Sequence, residues 1–293
     1  MPSLRLLLAT PLVLAAMALA ACGSDDSSDT KTSSASATTA TQSAAACTKD
    51  QLKTKTAGTL TVATDKPAYP PYFVDDKPAN GQGFESAVAY AIAKQLGYAP
   101  ADVKWVVEAF NSSYAPGPKD FDFDVNQISI TDPRKKAVDF SSPYFEAPQA
   151  LVALKGSKAA DATSLAELKD VQLGVQIGTT SLTAVNDVIK PSKQAKVFDN
   201  SNDVVTALKQ KQVDGVVVDL PTAFYLTGAQ VEDAKIVGQF AVPGGDTWGA
   251  LLAKGSPLTA CVSQAVDKLK ASGELDKINQ QWLGEAAGAP TLS

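Results

Sequence analysis

The sequence predicts an α/β protein built as two similar lobes with a ligand cleft between them. Three observations predict it. Short apolar strands alternate with amphipathic helices twice along the chain, once from residue 59 and again from about residue 150. Strand–helix–strand order makes βαβ units. Two stretches, near 145–152 and 242–251, link the series. Two crossings between lobes make a hinged clamshell, whose cleft is a natural ligand site. The plainer alternative is a single doubly wound sheet. Finally, residues 121–145, FDFDVNQISITDPRKKAVDFSSPYF, crowd polar side chains at the end of an apolar strand. Open α/β sheets take ligands beyond the carboxyl ends of their strands.

In the first series TLTVATD, 59–65, is a strand with Leu60 and Val62 on one face. The prolines and glycines of KPAYPPYFVDDKPANGQG then forbid regular structure. Phe84, Val88, Ala91, Ile92 and Leu96 recur at helical spacing, with Gly97 as the stop. KWVVEAF, 104–110, is the second strand. FNSSYAPGPKDF, 110–121, holds two prolines and a glycine and reads as a loop. Phe121, Phe123 and Val125 alternate with polar residues, the period of a third strand.

The second series opens with strand ALVALKG, 150–156, and a short helix started by the capping box SLAE, 164–167. Strand VQLGVQIG, helix TSLTAVNDVIK, strand KVFDN, helix NDVVTALKQKQ, the buried strand DGVVVDL and strand KIVGQF follow. The chain returns through DTWGALLAKGS to a helix striped by Leu258, Val262, Ala265, Val266 and Leu269. A last helix ends near Trp282.

Ahead of both series, Arg5 precedes an apolar run to Ala21, interrupted by Thr10 and Pro11. This is the pattern of a secretory signal, too short for a comfortable membrane span. Cys22 directly after Leu19-Ala20-Ala21 resembles a bacterial lipobox, which implies cleavage there and a lipid on its thiol. From 23 to 46 no hydrophobic residue exceeds Ala, so the stretch reads as a flexible tether. The expected organisation is signal 1–21, tether 22–46, lobe 1 from 47–149, lobe 2 from 150–243, a return segment of lobe 1 from 244–286, and a tail 287–293.

Formal charge is −5, with no basic stripe, which excludes nucleic acid as a partner. Histidine is absent, which removes Ser-His-Asp and Cys-His catalysis and histidine metal sites. Beyond Cys22 stand only Cys47 and Cys261, too few for a thiolate zinc site. In an exported protein such a pair forms a disulfide; the alternative is two separate buried thiols.

Arg134 follows the polar strand end within a turn. Its fork of donors matches a planar carboxylate; the alternative is a solvated arginine on a surface turn. The series TDKPAYPPYF, GFES, FDFD, NQISITDPR, AVDFSSPYF, LGVQIGTTS, VDGVVVDLP and VDKLKASGELDKINQQW, in that order, resembles the solute-binding lipoproteins of polar amino-acid ABC importers.

The resemblance implies a type II periplasmic-binding-protein clamshell, an α/β fold with two hinge crossings. It implies a monomer on the extracytoplasmic face of the cell membrane, anchored through Cys22, with no cofactor and no catalysis. Its partners would be a free amino acid and a cognate ABC permease and ATPase. Arg134 would clamp the ligand's α-carboxylate, helped by the amide and hydroxyl of Thr180 at a helix amino terminus. Asp219 would accept from the α-ammonium, Ser129 would supply a hydroxyl or backbone contact and Gln127 a carbonyl. Tyr69 would lie over the ligand's stem, and Asp65 would face its side chain. Thr179 is as readily a turn former as a contact. Asp219 could instead cap a loop, Tyr69 could be core, and Asp65 could bind local amides.

Three departures bear on the ligand. The 110–121 loop stands where the family has a helix, so Asn111, Ser112, Ser113 and Tyr114 could enter the site. Asp124 replaces an aliphatic residue. Asn126 and Gln127 replace a small pair and would add amide donors. The competing functions are a dehydratase-like enzyme on the same fold, with Glu85, Glu108 and Glu146 as cleft-side acids, and a ligand-sensing lipoprotein.

Overall fold

The computed structural model describes residues 47–284 and 289–293. The expected signal, the expected lipidation site Cys22 and the expected tether lie outside the described residues. No helix among the described residues is long and apolar enough to cross a membrane.

The first series gives β1 Leu60–Thr64, α1 Phe84–Gln95, β2 Val103–Val107, α2 Phe110–Ser113, β3 Phe123–Asp124, α3 Asp132–Lys135 and β4 Val138–Glu146. The second gives β5 Gln149–Leu154, β6 Leu173–Gln176, α4 Thr180–Ala184, β7 Lys196–Phe198, α5 Ser201–Lys209, β8 Gly215–Asp219, α6 Leu220–Tyr225 and β9 Ala234–Phe240. The return brings β10 Thr247–Ala253, α7 Thr259–Ala271 and α8 Glu274–Leu283. Two five-stranded sheets result, ordered β2-β1-β3-β10-β4 and β7-β6-β8-β5-β9. In the first, β1 runs parallel to β2 and β3 while β10 runs antiparallel to β3 and β4. The second repeats the scheme, β5 being antiparallel to β8 and β9.

The two sheets are the two lobes of a clamshell, and the crossings are interlocked. The first leaves edge strand β4 and becomes β5, inside the other sheet; the second leaves edge strand β9 and becomes β10. They touch where Ala147 N–H donates to the Asp246 carbonyl at 2.8 Å. Each lobe packs apolar side chains on both sheet faces. In the first lobe α1, α7 and α8 cover one face through Phe84, Val88, Ile92, Val262, Val266, Leu269 and Leu275. Ala63, Phe121, Ile128, Val138 and Leu251 fill the other.

Several elements differ from expectation. The third strand is only two residues long, and 121–126 are all buried, polar ones included. Coverage on both faces removes the solvent side that the alternation implied. The 110–121 stretch is not wholly loop: α2 makes one turn, because Pro116 and Pro118 come only after it. The SLAE helix is a 3-10 turn, Leu165–Leu168, and Ser164 does not cap it with its side chain. Glu167 instead accepts from the amide of Thr163 at 2.8 Å. DTWGALLAKGS, assigned no element from sequence, supplies β10. Residues 289–293 lie along β9: Gln239 N–H donates to Pro290 O at 2.7 Å, Leu292 N–H donates to Gln239 O at 2.8 Å, and Leu292 is buried in the second lobe.

Cys47 is disulfide-bonded to Cys261 on α7, with Cα atoms 5.3 Å apart. The bond staples the start of the described chain to the first lobe. Replacing either cysteine by serine is expected to lower unfolding free energy by about 2–4 kcal/mol. Urea melts of wild type and variant test this, and equal midpoints would refute it.

Asp124 is wholly buried, and its cross-strand partners Ala63 and Leu251 belong to the apolar cluster. Neither carboxylate oxygen has a hydrogen-bond partner among the described residues. Burial, then the charges of Glu85, Glu108 and Asp65, push its pKa well above the carboxylate range. A carboxyl raised on folding penalises the fold increasingly as pH climbs from its unfolded pKa, about 4, toward its folded one. Asp124→Leu is therefore expected to stabilise by about 1–3 kcal/mol near neutral pH and by less at pH 4. Denaturant melts at the two pH values check the sign; a gain that does not grow with pH contradicts it.

Candidate functional site

The carboxyl ends of β1 and β3 in one lobe and of β6 and β8 in the other open onto one cavity of about 1070 Å³, counting the space at its mouth. All nine residues expected at a ligand site line it: Asp65, Tyr69, Asn126, Gln127, Ser129, Arg134, Thr179, Thr180 and Asp219. Its formally charged lining residues are Asp65, Arg134 and Asp219.

Arg134 is set by α3. Thr131 precedes that turn, and its hydroxyl accepts from Arg134 N–H at 3.3 Å. The guanidinium donates to Ser129 O at 2.7 Å and, across the cleft, to Gly178 O at 2.9 Å. It lies 5.4 Å from the ring centroid of Phe110 and 4.4 Å from that of Tyr114, cation–π distances. Arg134 is 8% exposed, not a solvated surface arginine. Burial lowers its pKa, while Tyr114, Asp246 and Asp219 oppose the shift. Even with a contact to Tyr114, the five-donor fork keeps N–H groups for an anion.

Across the cleft, Gly178 adopts φ +76°, and a Cβ there would stand 2.3 Å from the Tyr114 hydroxyl. Only glycine fits. Thr179 caps α4: its hydroxyl accepts from Leu182 N–H at 3.2 Å and donates to Gln176 O at 2.8 Å. That hydroxyl is committed locally. Thr180, the first residue of α4, sits 3.1 Å from the Ser129 hydroxyl. Tyr72, which sequence reasoning passed over inside AYPPYF, hydrogen-bonds Thr222 at 2.8 Å. With Arg134–Gly178, these contacts bridge the two lobes around the cavity.

Asp219 ends β8. Its Oδ1 accepts from Gln149 Nε2 at 2.6 Å, and the same nitrogen donates to Asp246 Oδ2 at 3.0 Å. Burial, then the neighbouring Asp246 charge, raise the Asp219 pKa well above the carboxylate range. Gln149 and Asp246 were missed because neither belongs to a motif; each matters only through where a crossing places it.

Some expected roles change. Both Asp65 oxygens accept backbone amides, from Lys66 at 2.7 Å and Phe110 at 3.2 Å, so the carboxylate anchors its own turn and the start of α2. Gln127 does not offer its side-chain amide to the cavity: backbone and side-chain N–H both go to Glu85, the former at 2.6 Å. Glu85 also takes the Tyr144 hydroxyl at 2.5 Å. Burial raises its pKa to about 7 against these bonds. This anchor holds Gln127 at φ +49°, a left-handed conformation uncommon outside glycine. Tyr69 is half-buried at the cavity wall rather than in the core. Its hydroxyl is shifted up by burial and, in the other direction, stabilised by Asn202.

Of the cleft-side acids, Glu85 lies beneath the floor, Glu146 is exposed, and neither they nor Glu108 line the cavity. Asn111, Ser112, Ser113 and Tyr114 stay out of the lining, Asn111 and Tyr114 packing against Gly178 instead. Gln176, Asn202, Tyr225 and Gln230 add a neutral polar wall in the second lobe.

The profile of the bacterial extracellular solute-binding proteins, family 3, matches residues 60–285. The L-cystine-binding protein TcyJ of Escherichia coli K12 is 27% identical over 237 residues, 79% of this chain and 85% of the relative. The ABC transporter glutamine-binding protein GlnH of Bacillus subtilis 168 is 30% identical over 213 residues, 71% and 76%. Among solved structures, an ancestral arginine-binding protein bound to glutamine superposes with a TM-score of 0.65 at 36% identity, covering 78% of this chain and 99% of that one. The fold and cleft thus define an extracellular solute-binding protein. The chain belongs to family 3 of the bacterial extracellular solute-binding proteins.

Proposed function

We propose that this protein is the substrate-binding lipoprotein of an amino-acid ABC importer, working as a monomer anchored at the extracytoplasmic face through a lipid on Cys22. It captures a polar or cationic amino acid between its lobes and delivers it to a permease driven by an ATPase. The observation that carries the reading is a guanidinium and a carboxyl set in the two walls of one cavity: Arg134 from the first lobe, Asp219 from the second. A zwitterion matches that pair. Arg134 and Thr180 take the α-carboxylate, and Asp219 takes the α-ammonium. Ser129, the Gln127 carbonyl and Asn126 complete the grip, and Tyr69 covers the stem. Asp65, already hydrogen-bonded to amides, contributes charge more than a direct bond. Relatives named for cystine, glutamine and arginine support the substrate class. That none of Glu85, Glu108 and Glu146 lines the cavity supports a binder over a dehydratase-like enzyme.

Past Arg134 and Asp219 the lining mixes neutral polar and apolar side chains with one more acid, Asp65, and the only other arginine in the sequence is Arg5. A side-chain carboxylate would meet no second guanidinium. A thermal-shift screen of the twenty amino acids is expected to show stabilisation by neutral-polar or cationic ones. At a hundredfold its dissociation constant a ligand adds about 2.7 kcal/mol. Response to aspartate or glutamate alone would refute the ligand class, and response to none would favour the enzyme or the sensor. Arg134→Ala is expected to weaken binding about a hundredfold or more with the fold kept. Calorimetry giving wild-type affinity would remove Arg134 from the site.

A further inference from the structure

The two chain crossings bring two carboxylates together beside the cavity. Asp246 lies on the second crossing, one residue before β10, and Gln149 opens β5 just after the first. Gln149 Nε2 donates to Asp219 Oδ1 at 2.6 Å and to Asp246 Oδ2 at 3.0 Å. Its Oε1 accepts from Ser181 Oγ at 2.7 Å, which fixes which end of the amide faces the acids. An amide nitrogen carries two hydrogens, so both are used. The two acidic oxygens therefore stand no farther apart than the two bond lengths laid end to end. Asp246 is 8% exposed, and its other oxygen, Oδ1, has no hydrogen-bond partner among the described residues. Asp246 does not line the cavity; Asp219 does.

At such range the charge of Asp246 disfavours a charge on Asp219. We propose that Asp246, acting through Gln149, makes ligand capture proton-linked: the empty site holds a proton on Asp219, and the ligand's ammonium expels it to solvent. The proposal rests on the reading that Asp219 receives the α-ammonium. The exchange balances. Asp219 releases H⁺, and an N–H of the ammonium takes its place as donor to the freed carboxylate. Asp246 never touches the ligand and is a positioning residue.

The other groups around Asp219 set the direction. Arg134 on α3 favours its charged form, and so does the Gln149 hydrogen bond from β5. Burial and Asp246 outweigh both, and Glu85 on α1 adds to them. Tyr72 faces it neutral, its hydroxyl pushed well up by burial and then by Asp219. Ser181 on α4 carries no charge. The bound α-carboxylate cancels part of the Arg134 charge, but the ammonium is in contact with Asp219 and dominates. Proton loss on binding means affinity rises with pH, up to tenfold per unit at one proton released.

The test is isothermal titration calorimetry with L-glutamine and L-arginine, in paired buffers of different ionisation enthalpy, from pH 5.5 to 8. Wild type is expected to release protons and to bind more tightly as pH rises. Asp246→Asn is expected to bind with a flattened pH profile and little release; Asp246→Glu is expected to restore the slope. A wild type that releases none overturns the proposal, whatever the variants do, as does an Asp246→Asn protein that releases as much as wild type. Asp219→Asn separates the two levels. Wild-type affinity in that variant overturns the site assignment itself, whereas weakened binding without proton release in wild type overturns the linkage alone. Binding of neither probe, nor of any other amino acid, overturns both.

Discussion

Each lobe depends on a strand delivered by the other. β5 enters the second sheet from the first lobe, and β10 enters the first sheet from the second, both antiparallel among strands that otherwise run parallel. A sheet lacking its fourth strand would expose unpaired edges in its middle. The crossings are therefore structural members of both lobes. This constraint aims the carboxyl ends of β1, β3, β6 and β8 at one gap, and it sets Gln149 and Asp246 side by side at its base.

Charge is handled differently at the site and behind it. Arg134 is buried, but two carbonyls and two aromatic rings receive it. Glu85 is buried, yet it gathers the amides of Gln127 and the hydroxyl of Tyr144. Asp124 has no such company. A polar group without partners in an apolar cluster is costly, so the chain tolerates at Asp124 what it avoids at Glu85 and Arg134.

The two-series order and the cavity lining were legible because both are local: periodicity marks strands and helices, and polar residues cluster where strands end. Arg134 was legible because a turn signal and a polar strand end bracket it. Less local features were not. The run DTWGALLAKGS becomes an interior strand only because the first sheet has an opening for it. Gln127 turns toward Glu85, forty-two positions earlier, so its spacing in the motif gave no hint of its direction. Asp65 reads the same in sequence whether it meets a ligand or its own backbone. Tertiary pairing decides such cases, and periodicity cannot report it.

The segment 289–293 changes the mechanical picture. Helix α8 belongs to the first lobe, yet the residues beyond it are stitched to β9 in the second. Gly238 leaves room for this, since a Cβ there would come within 2.7 Å of Leu292. The strand so held is an edge strand, and an edge strand is where a sheet invites foreign pairing. Peeling 289–293 away would break two backbone hydrogen bonds and uncover Leu292, so these residues are a seam sewn along the open border of the second sheet.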